Sequence, residues 1–218
     1  PTCINSTYIC AGTDSGDDIL YGGAGDDSLG GNQGNNTLDG GTGKDIITSG
    51  SGSDTIVIRS GDGSTDIANA DILTDFTDGT DVIGLDSITF DSLTIMQGSA
   101  DYASHTLVSL TSSGEYLLTI QNTTASNISA PDFASTSTAN QTLSGDTGNN
   151  TLIGGAGNDT FNGGAGNDVL YGHGGDDTFN VASKSGAFAE TINGGAGTDS
   201  LVISYSGISS LVDFTLST

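Results

Sequence analysis

The sequence predicts an all-β chain built from two arrays of stacked coils of parallel strands, with a β-rich segment between them. Three observations carry the prediction. Large apolar residues recur every nine positions in two separated stretches. Glycine and aspartate fill the space between those beats, and both are poor in strands but good in turns. The stretch between the arrays has a different texture, with short β-branched or alternating runs set apart by turn residues.

The first array starts at Thr13 and reads TDSGDDILY, GGAGDDSLG, GNQGNNTLD, GGTGKDIIT and SGSGSDTIV. Its eighth place holds Leu20, Leu29, Leu38, Ile47 and Ile56. Its sixth place holds Asp18, Asp27, Asn36, Asp45 and Asp54, and its fourth place is glycine throughout. The second array starts at Gly145 and reads GDTGNNTLI, GGAGNDTFN, GGAGNDVLY and GHGGDDTFN. Its apolar beats are Leu152, Phe161, Leu170 and Phe179, and its sixth-place residues are Asn150, Asp159, Asp168 and Asp177. The unit GGAGTDSLV, with Asp199 and Leu201, resumes the pattern after VASKSGAFAETIN, which reads as an insertion of about thirteen residues.

Each unit has room for one short strand and one sharp turn. The last three residues alternate, so the eighth-place side chain points inward and its neighbours point outward. Glycines in the other six positions supply the positive φ and close backbone approach of the turn. One turn reverses the chain, so two repeats close a coil and coils stack about 4.8 Å apart. Leu20, Leu38 and Ile56 then line one sheet, and Leu29 and Ile47 the other. Leu152 and Leu170 likewise face Phe161 and Phe179.

The segment from Ile58 to Asn140 supplies strands at ADILTDF, TDVIGL, SITFDSLTIM, HTLVSL and EYLLTIQN, with turns at TDGT, QGSADYAS and TSSGE. STSTANQ reads as a connector into the second array. No amphipathic helix and no membrane-length apolar run is present. Cys3 and Cys10 flank INSTYI, a short β-like stretch. In an oxidising compartment they would close a small loop, with free thiols or an intermolecular bridge as the alternatives. The start at Pro1, without an initiator Met or a signal-peptide pattern, reads as a processed chain or a fragment.

Charge narrows the partners. The formal net charge is -24, with 27 acids against Lys44, Arg59 and Lys184. Nucleic acid and anionic membrane surfaces are excluded as partners by that balance. Glu115 and Glu190 are the only glutamates, and a near-exclusive use of Asp indicates turns and ligation. Stacking brings sixth-place carboxylates of alternate repeats close together. Two such charges about 5 Å apart repel by roughly 1 kcal/mol in water, and by several times that when partly desolvated. A hard divalent cation resolves the conflict. Calcium accepts six to eight oxygens from carboxylates and carbonyls, magnesium wants a stricter octahedron, and zinc wants His or Cys, which do not recur here.

GGAGNDTFN and GGAGNDVLY resemble the calcium-binding nonapeptide of RTX (hemolysin-type) proteins, G-G-x-G-x-D-x-U-x. The resemblance implies a parallel β-roll (β-solenoid) with several Ca2+ ions held between the turns of repeats i and i+2. It pairs Asp27 with Asp45 and Asp159 with Asp177 as ligands. It also pairs Asp18 with Asn36, Asn36 with Asp54, and Asn150 with Asp168, where the missing charge implies weaker or empty sites. Asp199 occupies the same place in the last unit. Carbonyl ligands would come from the turns at Gly22, Gly25, Gly40, Gly43, Gly154, Gly157, Gly163, Gly166 and Gly172. DILTDFTDGTDVIGL is similar to the segment that caps β-rolls in secreted RTX proteins, and it offers Asp71, Asp75 and Asp81 for a further calcium site.

The expected organisation is an N-terminal Cys-loop or strand at 1–12, a first roll at 13–57, a β-rich cap and connector at 58–143, and a second roll with closing strands at 144–218. The fifth-place Asp17, Asp26 and Asp176 are expected to point outward without a role. His105 and His173 read as incidental, His173 as a tolerated replacement for glycine. No nucleophile elbow, zinc helix or P-loop is present, so no enzyme is expected. The expected function is a secreted or cell-surface calcium-binding structural protein, exported by bacterial type I secretion and stacking end to end with its own copies. The alternative is the secretion and folding region of a larger RTX enzyme, toxin or adhesin. An ice-binding face from the outward Thr37, Thr55, Thr151, Thr160 and Thr178 is a distant third, because Ile19, Ile46 and Val169 interrupt it.

Overall fold

The structure, a computed structural model, describes residues 2–4, 10–11, 15–181, 189–204 and 213–217, of which 2–4, 10–11 and 213–217 are described as backbone only. They divide into two compact units, Pro1–Ile88 with Ser92–Phe133, and Thr89–Asp91 with Ala134–Thr218. Among the described residues the fold is all-β, interrupted only by three-residue 3-10 turns. No helix among them is long and apolar enough to cross a membrane.

The first unit contains β1 (Thr2–Ile4), β2 (Cys10–Ala11), β3 (Ile19–Ala24), β4 (Ser28–Gly30), β5 (Thr37–Thr42), β6 (Ile46–Thr48) and β7 (Thr55–Ile58). It continues with β8 (Asp71–Leu73), β9 (Val82–Leu85), β10 (Leu93–Gln97), β11 (Thr106–Leu110), β12 (Tyr116–Ile120) and β13 (Phe133–Ser135). Odd and even strands of the repeats part into two sheets, ordered β1-β3-β5-β7-β9-β13 and β10-β11-β12-β8-β6-β4-β2. Parallel pairing puts Leu20, Leu38, Ile56 and Ile83 in one register and Leu29, Ile47, Leu73 and Ile120 in the other. All eight are fully buried. The nine-residue beat is therefore half a coil, and the two rows of beats form the core.

The coils do not stop where the regular repeats do. β8 and β9 add one more turn across wider loops, so Ile47 meets Leu73 and Ile56 meets Ile83. β12 then joins β8 in parallel, and β10 and β11 extend that sheet as an antiparallel meander. Buried Leu107, Val108, Leu110, Leu117, Leu118, Ile128 and Phe133 close this end with an apolar plug. At the other end, β1 and β2 place Cys3 beside Leu20 and Cys10 beside Leu29 in register. The Cys3 and Cys10 side chains, and with them the expected bridge, lie outside the described residues.

The second unit contains β14 (Thr142–Ser144), β15 (Thr151–Ile153), β16 (Thr160–Asn162), β17 (Val169–Tyr171), β18 (Thr178–Val181), β19 (Ala189–Asn193), β20 (Ser200–Ile203) and β21 (Asp213–Ser217). Its sheets run β14-β16-β18-β20 and β15-β17-β19-β21. Phe161 and Phe179 stack with ring centroids 4.7 Å apart, between Leu143 and Leu201 in the same register.

Two stretches differ from the sequence expectation. STSTANQ is the turn of a first coil, because Leu143 takes an eighth-place register beside Phe161. The apparent thirteen-residue insertion is a lengthened repeat, since its AETIN forms β19 with Ile192 beside Leu170. STSTANQ has no glycine and the lengthened repeat keeps only Gly186, but each retains the strand that pairs.

The stacked pair gives a direct test of the core. Phe179→Ala removes a fully buried ring from a narrow interior and should cost about 3–5 kcal/mol, read as a lower urea midpoint in calcium-containing buffer. The outward neighbour change Thr178→Ala should stay within about 0.5 kcal/mol.

Candidate metal centres

Every turn poses the same problem for its backbone. A turn residue leaves the strand ladder, yet its N–H is buried and needs an acceptor. The sixth-place side chain of the next coil supplies one. Asp27 N–H donates to Asp45 Oδ1 at 2.8 Å, and Asp45 N–H donates to Asp71 Oδ1 at 2.9 Å. On the other edge, Asp18 N–H donates to Asn36 Oδ1, Asn36 N–H to Asp54 Oδ1, and Asp54 N–H to Asp81 Oδ1, at 3.0, 2.7 and 3.1 Å. In the second unit, Gln141 N–H donates to Asp159 Oδ1, Asp159 N–H to Asp177 Oδ1 and Asp177 N–H to Asp199 Oδ1. The remaining row runs from Asn150 N–H to Asp168 Oδ1 and from Asp168 N–H to Glu190 Oε2. Asp199 is exposed and Asn150 half-buried, whereas the other carboxylates of these rows are buried.

One oxygen of each carboxylate that a preceding coil reaches is thus spoken for, and in several of them the second is left bare. Oδ2 of Asp27, Asp45, Asp54 and Asp177 is buried with no hydrogen-bond partner, as is Oδ1 of Asp27. An unsatisfied ionised oxygen in the interior costs several kcal/mol. Those of Asp27, Asp45 and Asp177 point at first-place glycines. A Cβ on Gly22 would lie 2.5 Å from the Gly40 carbonyl oxygen and 2.9 Å from Asp27 Oδ2. At Asp159 the same oxygen is bonded instead, accepting from Gly155 N–H at 3.0 Å, and a Cβ on Gly154 would lie 2.5 Å from it and 2.9 Å from the Gly172 carbonyl oxygen. Gly40 and Gly163 likewise face Asp45 Oδ2 and Asp168 Oδ2, and Gly172 faces Asp177 Oδ2 and the Gly194 carbonyl. The fourth-place glycines do a different job. Gly43 has φ 134° and packs on the Gly25 carbonyl, Gly166 packs on Gly148, and Gly157 packs on Ala139. Carboxylate and carbonyl oxygens that converge on a space kept open by glycine form an all-oxygen donor set, which suits a hard divalent cation. Among the described residues no three His, Cys, Asp or Glu side chains gather into a cage, so carbonyls have to complete any shell.

Comparison with known proteins agrees with this chemistry. The family model for the RTX calcium-binding nonapeptide repeat matches residues 13–38, 30–56, 136–169, 144–179 and 185–202. These are RTX calcium-binding nonapeptide repeats. Solved structures similar to the chain include the R3 and R2 subunits of the Azotobacter vinelandii mannuronan C5-epimerase AlgE6. They are 24% and 23% identical, with TM-scores of 0.40 and 0.41, covering 56% and 59% of this chain and 79% and 91% of theirs. The extracellular lipase LipA of Serratia marcescens is 21% identical with a TM-score of 0.25, covering 91% of this chain and 32% of that one. No curated protein sequence matches the chain.

The RTX rows are longer than the repeats alone indicate. Asp71 and Asp81, grouped with Asp75 in one site from sequence, belong to different rows, Asp71 beyond Asp45 and Asp81 beyond Asp54. Asp75 takes the N–H groups of Ser49 and Gly50 at 2.8 and 2.9 Å, and Ser49 Oγ lies between it and Asp81. Glu190 and Gln141 hold sixth-place positions that no RTX spacing predicted. The signals were present in part, because ETI at Glu190 repeats DTI at Asp54, and NQTL at Asn140 repeats NNTL at Asn149.

Fifth-place residues are exposed, as expected, but they are not idle. Asp17 Oδ1 accepts from Asn35 N–H, Asp26 Oδ1 from Lys44 N–H and Asp176 Oδ1 from Thr198 N–H, at 2.7, 3.0 and 2.8 Å. Asn35, Asn140, Asn149, Asn158 and Asn167 do the same for the coil that follows each of them. Fifth-place oxygens thus reach forward one coil while sixth-place oxygens reach back. His173 sits at φ 70° in a glycine slot, the left-handed conformation that the turn imposes.

Burial pushes five of the row carboxyls up. Asp45 is raised to about 6 by burial and by the charges of Asp27 and Asp26. Asp177 is raised to about 6 by burial and by Asp159 and Asp199, and Asp71 to about 8 by burial and by Asp45. Asp54 and Asp81 are raised chiefly by burial. Folded values above the unfolded value of about 3.9 mean that the metal-free fold takes up protons. Its proton-linked stability is complete below about pH 4 and is lost as pH rises through about 6 to 8. In excess chelator, the β signal in circular dichroism should therefore grow as pH falls from about 8 to about 4.5. A chelator signal that is flat or rises with pH over that range would contradict the assignment.

Proposed function

We propose that the chain is an extracellular, non-enzymatic structural module whose two RTX rolls fold when they meet millimolar calcium. The observation that carries the proposal is the set of buried carboxylate oxygens without partners beside glycine-cleared carbonyls. Calcium would be held between Asp27 and Asp45, Asp45 and Asp71, Asp159 and Asp177, Asp177 and Asp199, and Asp168 and Glu190, with turn carbonyls completing each shell. When bound it supplies positive charge and oxygen coordination. The chain's own residues position the two carboxylates one coil apart and keep side chains out of the space between them.

Asn36 sets one position apart. Its Nδ2 donates to the Gly34 carbonyl at 3.0 Å and to Asp54 Oδ1 at 2.9 Å. An amide that brings hydrogen-bond donors rather than charge links the coils without a cation, so this position holds calcium weakly or not at all.

RTX-repeat proteins are typically secreted, which fits folding that waits for extracellular calcium. Bacterial type I secretion is the export route that suits a chain kept loose by its own charge. Self-association through open sheet edges is the assembly step. β1 and β2 end the two sheets of the first unit, and β20 and β21 those of the second. A second reading, the folding region of a larger RTX enzyme, toxin or adhesin, is favoured by one specific feature. The ligand rows stop on apolar registers, where Asp71 meets Leu118 and Glu190 meets Phe214.

Two measurements test the proposal. Circular dichroism should show a larger β signal at neutral pH in millimolar calcium than in excess chelator, and equal signals would sink the calcium-folding reading. Calcium-dependent filaments or lattices in electron microscopy support the structural role, whereas a monomer at high concentration supports the second reading. For the sites themselves, Asn36→Asp should add a bound calcium in native mass spectrometry, and Asp45→Asn should remove at least one.

A further inference from the structure

The chain contains a single arginine, and its guanidinium lies where three carboxylates of the first unit converge. Arg59 follows β7 and donates from Nε to Asp86 Oδ2 at 2.8 Å. Its Nη1 donates to Asp39 Oδ1 at 3.0 Å and to Asp62 Oδ2 at 2.8 Å, and its Nη2 donates to Asp39 Oδ2. Asp39 is on β5 and Asp86 follows β9, so one side chain ties three successive coils of the same sheet. The two-pronged contact with Asp39 is the strong form of this interaction, and only arginine can make it. Asp39 is buried and Asp62 nearly so, whereas Arg59 and Asp86 are partly open to water.

The loop holding Asp62 is fastened to the capping hairpin. Glu115 Oε1 accepts from Gly61 and Gly63 N–H at 2.8 and 3.0 Å, and Ser64 and Tyr116 exchange backbone hydrogen bonds at 3.1 and 2.7 Å. Beyond this point the Asp27–Asp45–Asp71 row passes to Leu118, β11 is buried along its whole length, and the cap's own buried carboxylate, Asp132, accepts from Ser129 N–H.

We infer that Arg59 is a built-in cation that keeps the capping end of the first unit folded when calcium is absent, so that calcium-driven folding grows from a preformed end. Arg59 neutralises carboxylates on the outer face of the sheet, as a metal ion would in the turns, but it is covalently part of the chain and always charged. Coils remote from it have only the cation rows, and the second unit has no described counterpart of this cluster. The inference rests on the calcium-folding reading for the rolls, and the test separates the two.

The experiment is amide hydrogen exchange on the full chain in excess chelator and in millimolar calcium. In chelator, amides of 106–110 and 116–120 should exchange about 100-fold more slowly than those of 160–181, since protection reports local opening. Arg59→Gln should lower the cap's protection in chelator by about tenfold or more, with a much smaller change in calcium. Asp62→Asn, which leaves the contacts to Asp39 and Asp86, should give a partial loss and serves if Arg59→Gln does not fold. Cap amides exchanging as fast as those of 160–181 in chelator, or equal protection in Arg59→Gln and the parent, would overturn the inference. Full protection of 160–181 in chelator would overturn the calcium-folding reading instead, and the Arg59→Gln comparison would still decide the brace.

Discussion

A buried carboxylate with one oxygen bonded and the other bare is the constraint on which this fold depends. The bonded oxygen satisfies the N–H of the preceding coil, so removing the carboxylate would orphan a buried donor. The bare oxygen cannot stay ionised in the interior without a counter-charge. The same side chain is therefore required by the backbone and opposed by electrostatics. Proton, metal ion or arginine are the three ways to relieve it, and the chain shows the conditions for each. Asp71 and Asp45 have carboxyls pushed up by burial, the glycine-cleared turns gather oxygens, and Arg59 braces one face.

The length of the side chain matters as much as its charge. Asp reaches the N–H one coil away while its second oxygen remains in the turn. Glu190 makes the corresponding bond at 3.2 Å, longer than the 2.7–3.1 Å of the Asp rows. Asp199 bridges the same separation of 22 residues with a bond of 3.0 Å, so the shorter arm is the tighter one. The fifth-place residues add direction, because their oxygens accept only from the following coil. Their rows end on Lys44, Ser53, Ala189 and Thr198, none of which can accept for another coil through a carboxylate or carboxamide. Both kinds of row thus have a defined last member, and coil number is written into side-chain chemistry rather than left to chain length.

Most of the architecture was legible from spacing, because a strict period of nine forces every eighth residue to one side of a half-coil. Leu20, Leu38 and Ile56 could be sorted from Leu29 and Ile47 before any coordinate was known. The sixth-place residues were legible for the same reason. Degenerate turns hid the rest. Before Asn140–Gln141 the glycines are gone and before Glu190 only Gly186 is left, so the G-G-x-G pattern is missing although the pairing strand is intact. The division of Asp71 from Asp75 and Asp81 was not legible, because it depends on loops that lengthen a coil by eight or nine residues without changing its register. The bonding of Asp17, Asp26 and Asp176 was hidden by their exposure. An acidic residue at the surface ordinarily has no partner, and here its partner is a backbone N–H a full coil away.

The apolar terminations and the cation rows describe one design with two regimes. In the repeats, apolar beats are single residues in a narrow core, each worth about 1.5–3 kcal/mol. Such a core is too thin to overcome carboxylate repulsion along four rows. In the cap, buried residues crowd both faces of β11 and β12 and no row continues. Where the interior is thick the buried aspartate Asp132 is bonded by Ser129 within its own turn, and where it is thin the aspartates stand in rows that gather oxygens for an ion. Under the proposed calcium-coupled folding, a chain built this way would be loose where calcium is scarce and rigid where it is plentiful. The same glycine and aspartate that make the turns poor in apolar surface are what make that switch possible.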